Sequence, residues 1–309
     1  MRKLLSFEKL RDESGGVLAF VAIFMVVLLG ITAIVIDGGR LYTEKSKLQK
    51  ALDAAVLAGA QGLRTSETSA REIAKDISEK NSFKVIDSEI TFPSNSIKAT
   101  KQVIVPMTFA KVIGINDTTI SATAIAKVAP LTKASGIAPI VIEKDNIPDA
   151  TILNCGSTNP GDLQGNCGYL KSTEGNLRDA LLNGATYEVG KTVFTDPGGS
   201  VGQVEQAIDG VEGIIAKDAT KPHCQSPDIA DNTCARVITV VVIDDWVDVD
   251  GKNVTGKSEL KVAGFASYWI DRYEDKKLYG KFIKMIAPGE IGTGTGIGDY
   301  ALFGVKLVE

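Results

Sequence analysis

Between Val17 and Ile36 the chain holds twenty consecutive residues without a charge. At about 1.5 Å of rise per residue, a helix of that length spans about 30 Å, the hydrocarbon thickness of a bilayer. The full stretch "VLAFVAIFMVVLLGITAIVIDGGRLYTEKSKLQKALDAAVLAGA" then runs, with no proline, into charged and alanine-rich sequence of strongly helical composition. A secretory signal peptide is the rival reading, with Arg2, Lys3, Lys9 and Arg11 as its basic region. The apolar run exceeds the usual length of about 7–15 residues, however, and "VIDGGRLY" offers no small-x-small cleavage site. The sequence therefore predicts an uncleaved single-pass anchor at the cell membrane, with residues 1–16 as a cytoplasmic tail and 17–36 as the transmembrane helix.

Charge alone does not orient this anchor. Four basic residues precede the span, and Arg40, Lys45, Lys47 and Lys50 follow it closely. The cysteines decide. Cys155, Cys167, Cys224 and Cys234 lie in polar sequence far from the span and form two close pairs. Such spacing suits disulfides in an oxidising compartment, which places the larger part of the chain outside the cytoplasm, in a periplasm or beyond the cell. Pairing within each cluster requires the least chain ordering, although all three connectivities are open. A zinc site built from the four thiols and His223 lacks the short ligand turns of zinc ribbons.

Past the span, Leu41, Leu48, Leu52, Ala55 and Gly59 trace one helical face, and Glu44, Lys45, Lys47, Lys50 and Asp53 lie mostly off it. Residues 37–63 thus read as a membrane-proximal amphipathic helix ending near Gly62. Its small residues Ala51, Ala55, Ala58 and Gly59 would let another element approach closely. A second helix follows, with Ala70, Ile73, Ala74 and Ile77 inside and Thr68 or Ser69 as its cap. "FKVIDSEITF", "QVIVPMTF" and "TTISATAIAKV" read as strands, with "FAKVIGI" a short helical turn closed by Gly114. Residues 64–130 should form a small α+β unit, and 131–137, within "PLTKASGI", a linker. Over 138–309 strands dominate, interrupted by helices near Gly175–Leu182 and Gly202–Ile215. The expected fold class is α+β: a transmembrane helix continuing as a long amphipathic helix, a small α+β unit, then a mainly β domain with disulfides.

No catalytic centre is visible. The chain has one histidine, and it lacks a G-x-S-x-G elbow, an H-E-x-x-H motif and a P-loop. The acidic run Asp244, Asp245, Asp248 and Asp250 could attract calcium, but it fails the EF-hand spacing and reads as a solvated hairpin end. "GTGTGIG", Gly292–Gly298, lacks the following helix that a dinucleotide site needs and reads as a loop. A net charge of −4 gives no footprint for nucleic acid, and no cofactor or metal is expected.

The span and the helix after it resemble the N-terminal segment of TadG-like proteins of the Flp (Tad) pilus-assembly system. Asp37, Gly39, Arg40 and Tyr42 carry the resemblance, together with Leu48, Gln49 and the "ALDAAVLAGA" helix that contains Asp53. "VPMTFAKVIGINDTTISATAIAKV" is similar to the strand–helix–strand that follows in that family. The resemblance implies a non-enzymatic, membrane-anchored extracytoplasmic component that works by contact with other pilus-assembly or pilin subunits. Two departures limit it. Related prepilins carry Glu five residues after the cleavage glycine, where this chain has Phe20 counting from Gly15. The Asp-x-Ser-x-Ser motif of von Willebrand factor A domains is missing. A minor pilin incorporated into the fibre and a membrane-tethered hydrolase or binding domain are the alternative readings.

Overall fold

The computed structural model describes residues 14–147, 149, 151–153, 168–172, 175–196, 201–254, 256–292 and 302–308. Its first helix, α1 (Ser14–Gly62), is continuous over 49 residues, about 74 Å of rise. Proline is missing throughout, so nothing interrupts the backbone ladder between the apolar and the charged halves. The two halves differ in what surrounds them. The large apolar side chains from Val17 to Ile36 are exposed, whereas Leu48, Leu52, Ala55 and Val56 are fully buried.

A polar turn leads from α1 into α2 (Glu67–Lys80), which folds back along it. The N-cap is Ser66, whose hydroxyl accepts the Ser69 amide at 3.0 Å, and not Thr68 or Ser69 as the capping-box pattern suggested. Ser66 takes the extended backbone of a cap, and helix geometry has already begun at Glu67. Two glycines set the helix spacing. A Cβ on Gly59 would lie 2.9 Å from the Ala70 carbonyl oxygen, and one on Gly62 would lie 2.8 Å from the Ala70 backbone.

Against the other side of α1 lies an antiparallel sheet in the order β1 (Ile90–Thr91), β2 (Ser96–Pro106), β3 (Asp117–Glu143) and, from the far end of the chain, β12 (Phe303–Val308). Ile120, Ala122, Ala124, Ala126 and Val128 alternate along β3 to face the helix. The strand expected over 83–92 shortens to two residues, because Asp87–Glu89 form a 3-10 turn.

β3 is 27 residues long and crosses out of this sheet into the next. Its second half pairs in parallel with β7 (Val237–Ile243), followed outward by β9 (Gly264–Glu274), β10 (Lys277–Ile283) and β4 (Ile152–Leu153). β5 (Ala185–Glu188) and β11 (Glu290–Ile291) also pair with β3. The segment read as a linker, 131–137, is therefore strand, bonded to both of these short partners. Its linker-like composition comes from an irregularity: the register shifts between Ala134 and Ile137, and Gly136 there has φ +76°. The final strand, read as part of the distal domain, instead completes the sheet packed on α1.

The distal sheet is covered on both faces, which explains the nearly unbroken apolar run "VITVVVI" of β7. Ile238, Val240 and Val242 point toward α3 (Leu177–Asn183), α4 (Val201–Ile208) and α5 (Ile214–Lys217). Val241 and Ile243 point to the opposite core, which includes Leu260 of β8 (Glu259–Lys261). β8 pairs with β6 (Thr192–Phe194) as a separate ribbon.

Candidate functional site

Asp37 is the first charged residue after the apolar run, and it is 5% exposed. Its carboxylate leaves α1 toward the β2–β3 hairpin. Oδ1 accepts the Thr108 amide at 2.9 Å, and Oδ2 accepts the Phe109 and Ala110 amides at 2.9 and 2.7 Å. These amides open the 3-10 turn Ala110–Ile113, whose own N-cap residue Phe109 supplies no side-chain bond. Asp37 thus caps a turn that lies more than seventy residues away in the chain. Arg40 adds a bond from Nη1 to the Thr108 hydroxyl at 3.2 Å. The Ala110 amide bond, outweighing partial desolvation and helped by the amides of Thr108 and Phe109, holds the Asp37 carboxyl below the usual carboxylate range.

Farther along α1, Gln49 makes the second clasp. Its Nε2 donates to the Thr123 carbonyl of β3 at 2.9 Å and to Asp53 Oδ1 at 2.9 Å. Gly59 meets Ile97 at the opposite end of the same sheet. These three contacts fix direction: β2 starts beside Gly59 and ends beside Asp37, so the hairpin points back to the apolar end of α1. The lengths agree. From Asp37 to Gly59 the helix rises about 33 Å, and from Ile97 to Thr108 a strand rises about 36 Å.

Of the motif residues, Asp37, Arg40, Gln49 and Asp53 therefore bind the helix to its own sheet or brace that contact. Gly39 and Tyr42 do not. Tyr42 is 78% exposed, and a Cβ on Gly39 would meet nothing within 4 Å. Sequence reasoning missed Thr108, although the turn that follows it was legible in "FAKVIGI" and its closure by Gly114, at φ +90°, is as expected. Replacing Asp37 with alanine is expected to speed hydrogen exchange at amides 108–110 and leave those of β7 unchanged. Unaltered exchange at 108–110 would show that the clasp is not made.

Residues 15–62 match the Flp pilus-assembly TadE/G-like (Tad) family model. The Tad match ends where α1 ends, so it covers the apolar run and both clasps of the helix but none of the strands they hold. No curated protein and no solved structure matches the chain.

Away from the Tad segment, Cys224 and Cys234 form a disulfide, the pairing within the cluster that local closure favours. Cys155 and Cys167 lie outside the described residues. The His223, Cys224 and Cys234 donor atoms lie within 4.8 Å of one another, but the two sulfurs are bonded to each other. The bridge closes a loop tied to Trp269, whose indole N–H donates to the Cys224 carbonyl at 2.9 Å. Replacing both cysteines with serine is expected to cost about 2–3 kcal/mol. That would lower the melting temperature by roughly 5–10 °C in a calorimeter.

Beside this loop, the fully buried Asp218 accepts the Arg236 amide at 2.7 Å and the Lys221 ammonium at 2.8 Å. Burial works to raise its pKa, but the Lys221 bond and the Arg236 and Ala235 amides outweigh it and hold the carboxyl low. A carboxyl depressed on folding adds stability above its unfolded value of about 3.9 and loses it as pH falls through the lower folded value. Thermal melts should therefore show Asp218→Asn with a flatter loss of stability below about pH 4 than the parent chain. Identical slopes would remove Asp218 from the acid transition.

The acidic run divides as a hairpin end would. Asp244 and Asp245 are exposed, and Asp248 Oδ1 accepts the Asp250 and Lys252 amides within the turn. Of "GTGTGIG", residues 293–298 lie outside the described residues.

Proposed function

We propose that this protein is a membrane-anchored extracytoplasmic component of a Flp/Tad pilus-assembly machine, and that it acts by binding pilus-assembly or pilin subunits without catalysis. The observation that carries the reading is the Tad match over residues 15–62, on a helix whose first half is apolar and open and whose second half is clasped to a folded body. An apolar half with no protein around it suits lipid. The Cys224–Cys234 bridge suits an oxidising compartment and supports an outward-facing body with the N-terminus in the cytoplasm.

The test is made in the host cell. Deleting the gene should abolish assembled fibres, the full chain should restore them, and a chain lacking residues 1–36 should not. Undiminished fibres in the deletion strain would overturn the reading. Intact-mass measurement of the membrane-extracted protein should find the apolar segment retained, and a mature chain starting near Gly16 would favour a processed minor pilin.

A further inference from the structure

The tip of the β2–β3 hairpin exposes an apolar cluster that no part of the described chain covers. Phe109 is 41% exposed, Val112 89%, Ile113 76% and Ile115 47%, all within one tight turn. A solvated hairpin tip ordinarily carries polar and glycine residues, and four large apolar side chains concentrated there mark a contact surface. The tip's position identifies the partner. Asp37, which grips amides 108–110, follows directly on Ile36, the last residue of the charge-free run, and the adjacent turn packs against α1. If α1 crosses a bilayer along Val17–Ile36, the clasp sits at the boundary between acyl chains and headgroups. The tip is then continuous with the lipid-facing surface of the helix. Its one charged side chain, Lys111, is exposed, and Arg40 sits beside Thr108, the charge sign that headgroup phosphates favour.

We infer that Phe109, Val112, Ile113 and Ile115 insert into the outer interface of the bilayer that α1 spans. The folded body is then held to the membrane at two points, helix and hairpin, and its tilt on the membrane is fixed. A single helix leaves a domain free to rotate and lean. A second, shallow contact close to the helix removes that freedom and presents the distal sheet in one orientation. Asp37 is the positioning residue, since it fixes the tip to the helix at the level where the apolar surface ends.

This inference rests on the proposed membrane anchor, and the experiment separates the two. Full-length protein is placed in phosphatidylethanolamine–phosphatidylglycerol vesicles with an environment-sensitive fluorophore on Gly30→Cys, Val112→Cys or Val211→Cys, and spin-labelled lipids serve as depth-resolved quenchers. Gly30 lies in the apolar run, and Val211, 97% exposed, lies in the distal body. The expected result is deep quenching at 30, shallow quenching at 112 and none at 211, with the signal at 112 lost in the Asp37→Ala background while that at 30 persists. A label at 112 that stays open to water overturns the inference, and one that is shielded without lipid quenching overturns it and assigns the tip to a protein contact. A label at 30 that is not quenched overturns the anchor itself, and the inference falls with it.

Discussion

Gly184→Ala is expected to destabilise the distal body by about 2–6 kcal/mol, enough to threaten its fold. Gly184 ends α3 with φ 70° and ψ 170°, a conformation that is essentially reserved for glycine. A Cβ there would also lie 2.2 Å from the Gly136 carbonyl carbon and 2.6 Å from the Ile137 amide nitrogen. Both atoms are backbone, so no rotamer relieves the clash, and the irregular segment of β3 would have to move. Gly190 separates the two costs. Its φ is +84°, but a Cβ there meets nothing within 4 Å, so Gly190→Ala should cost only the backbone term of about 1–2 kcal/mol. Urea unfolding of the full chain in detergent, followed by tryptophan fluorescence, distinguishes the two variants. Equal losses would mean that the close approach of α3 to β3 is not what demands glycine at 184.

Gly59→Leu is expected to cost about 1–3 kcal/mol or more and to loosen α2 and the sheet from α1 together. The added side chain would start 2.8 Å from Ile97 Cδ1, 2.9 Å from the Ala70 carbonyl oxygen and 2.9 Å from Ala74 Cβ, three contacts on two different elements. Ile97 could shift, but the Ala70 carbonyl belongs to the α2 backbone and cannot do so alone. Gly38 provides the opposite result. It lies in the same helix with nothing within 4 Å, so Gly38→Ala should stabilise α1 by about 1 kcal/mol through helix propensity. Both are read by thermal melting and by protease resistance of the α1–α2 hairpin. A Gly59 variant as stable as the parent would contradict the close packing described above.

Several local features were legible before the fold was known. The buried face Leu48, Leu52, Ala55 and Gly59, the end of α1 at Gly62 and the turn closed by Gly114 all follow from periodicity and glycine placement within a few residues. The strands in "QVIVPMTF" and "TTISATAIAKV" were legible for the same reason, since β-branched runs bounded by turns need only short windows. The segment 131–137 failed because composition cannot separate a flexible linker from a strand irregularity: both want glycine, and only pairing partners from residues 185–188 and 290–291 tell them apart. The cap of α2 failed because several adjacent Ser and Thr residues compete, and backbone geometry chooses among them.

At the candidate site the division is sharper. The resemblance marks Asp37, Gly39, Arg40, Tyr42, Gln49 and Asp53 as a set, but it assigns them no contacts, since the partners that Asp37, Arg40 and Gln49 find, Thr108–Ala110 and Thr123, lie 68 or more residues away. What the chain determines by itself is the charge-free run, its continuation as one helix, and the short loop that lets Cys224 reach Cys234, because each depends on neighbours close in sequence. Only the tertiary structure decides that β3 serves two sheets, that β12 returns to the one packed on α1, and that a carboxylate at the end of the apolar run holds an apolar hairpin tip beside it. Those arrangements depend on which distant backbone groups find each other, and residue patterns within one segment do not record that choice.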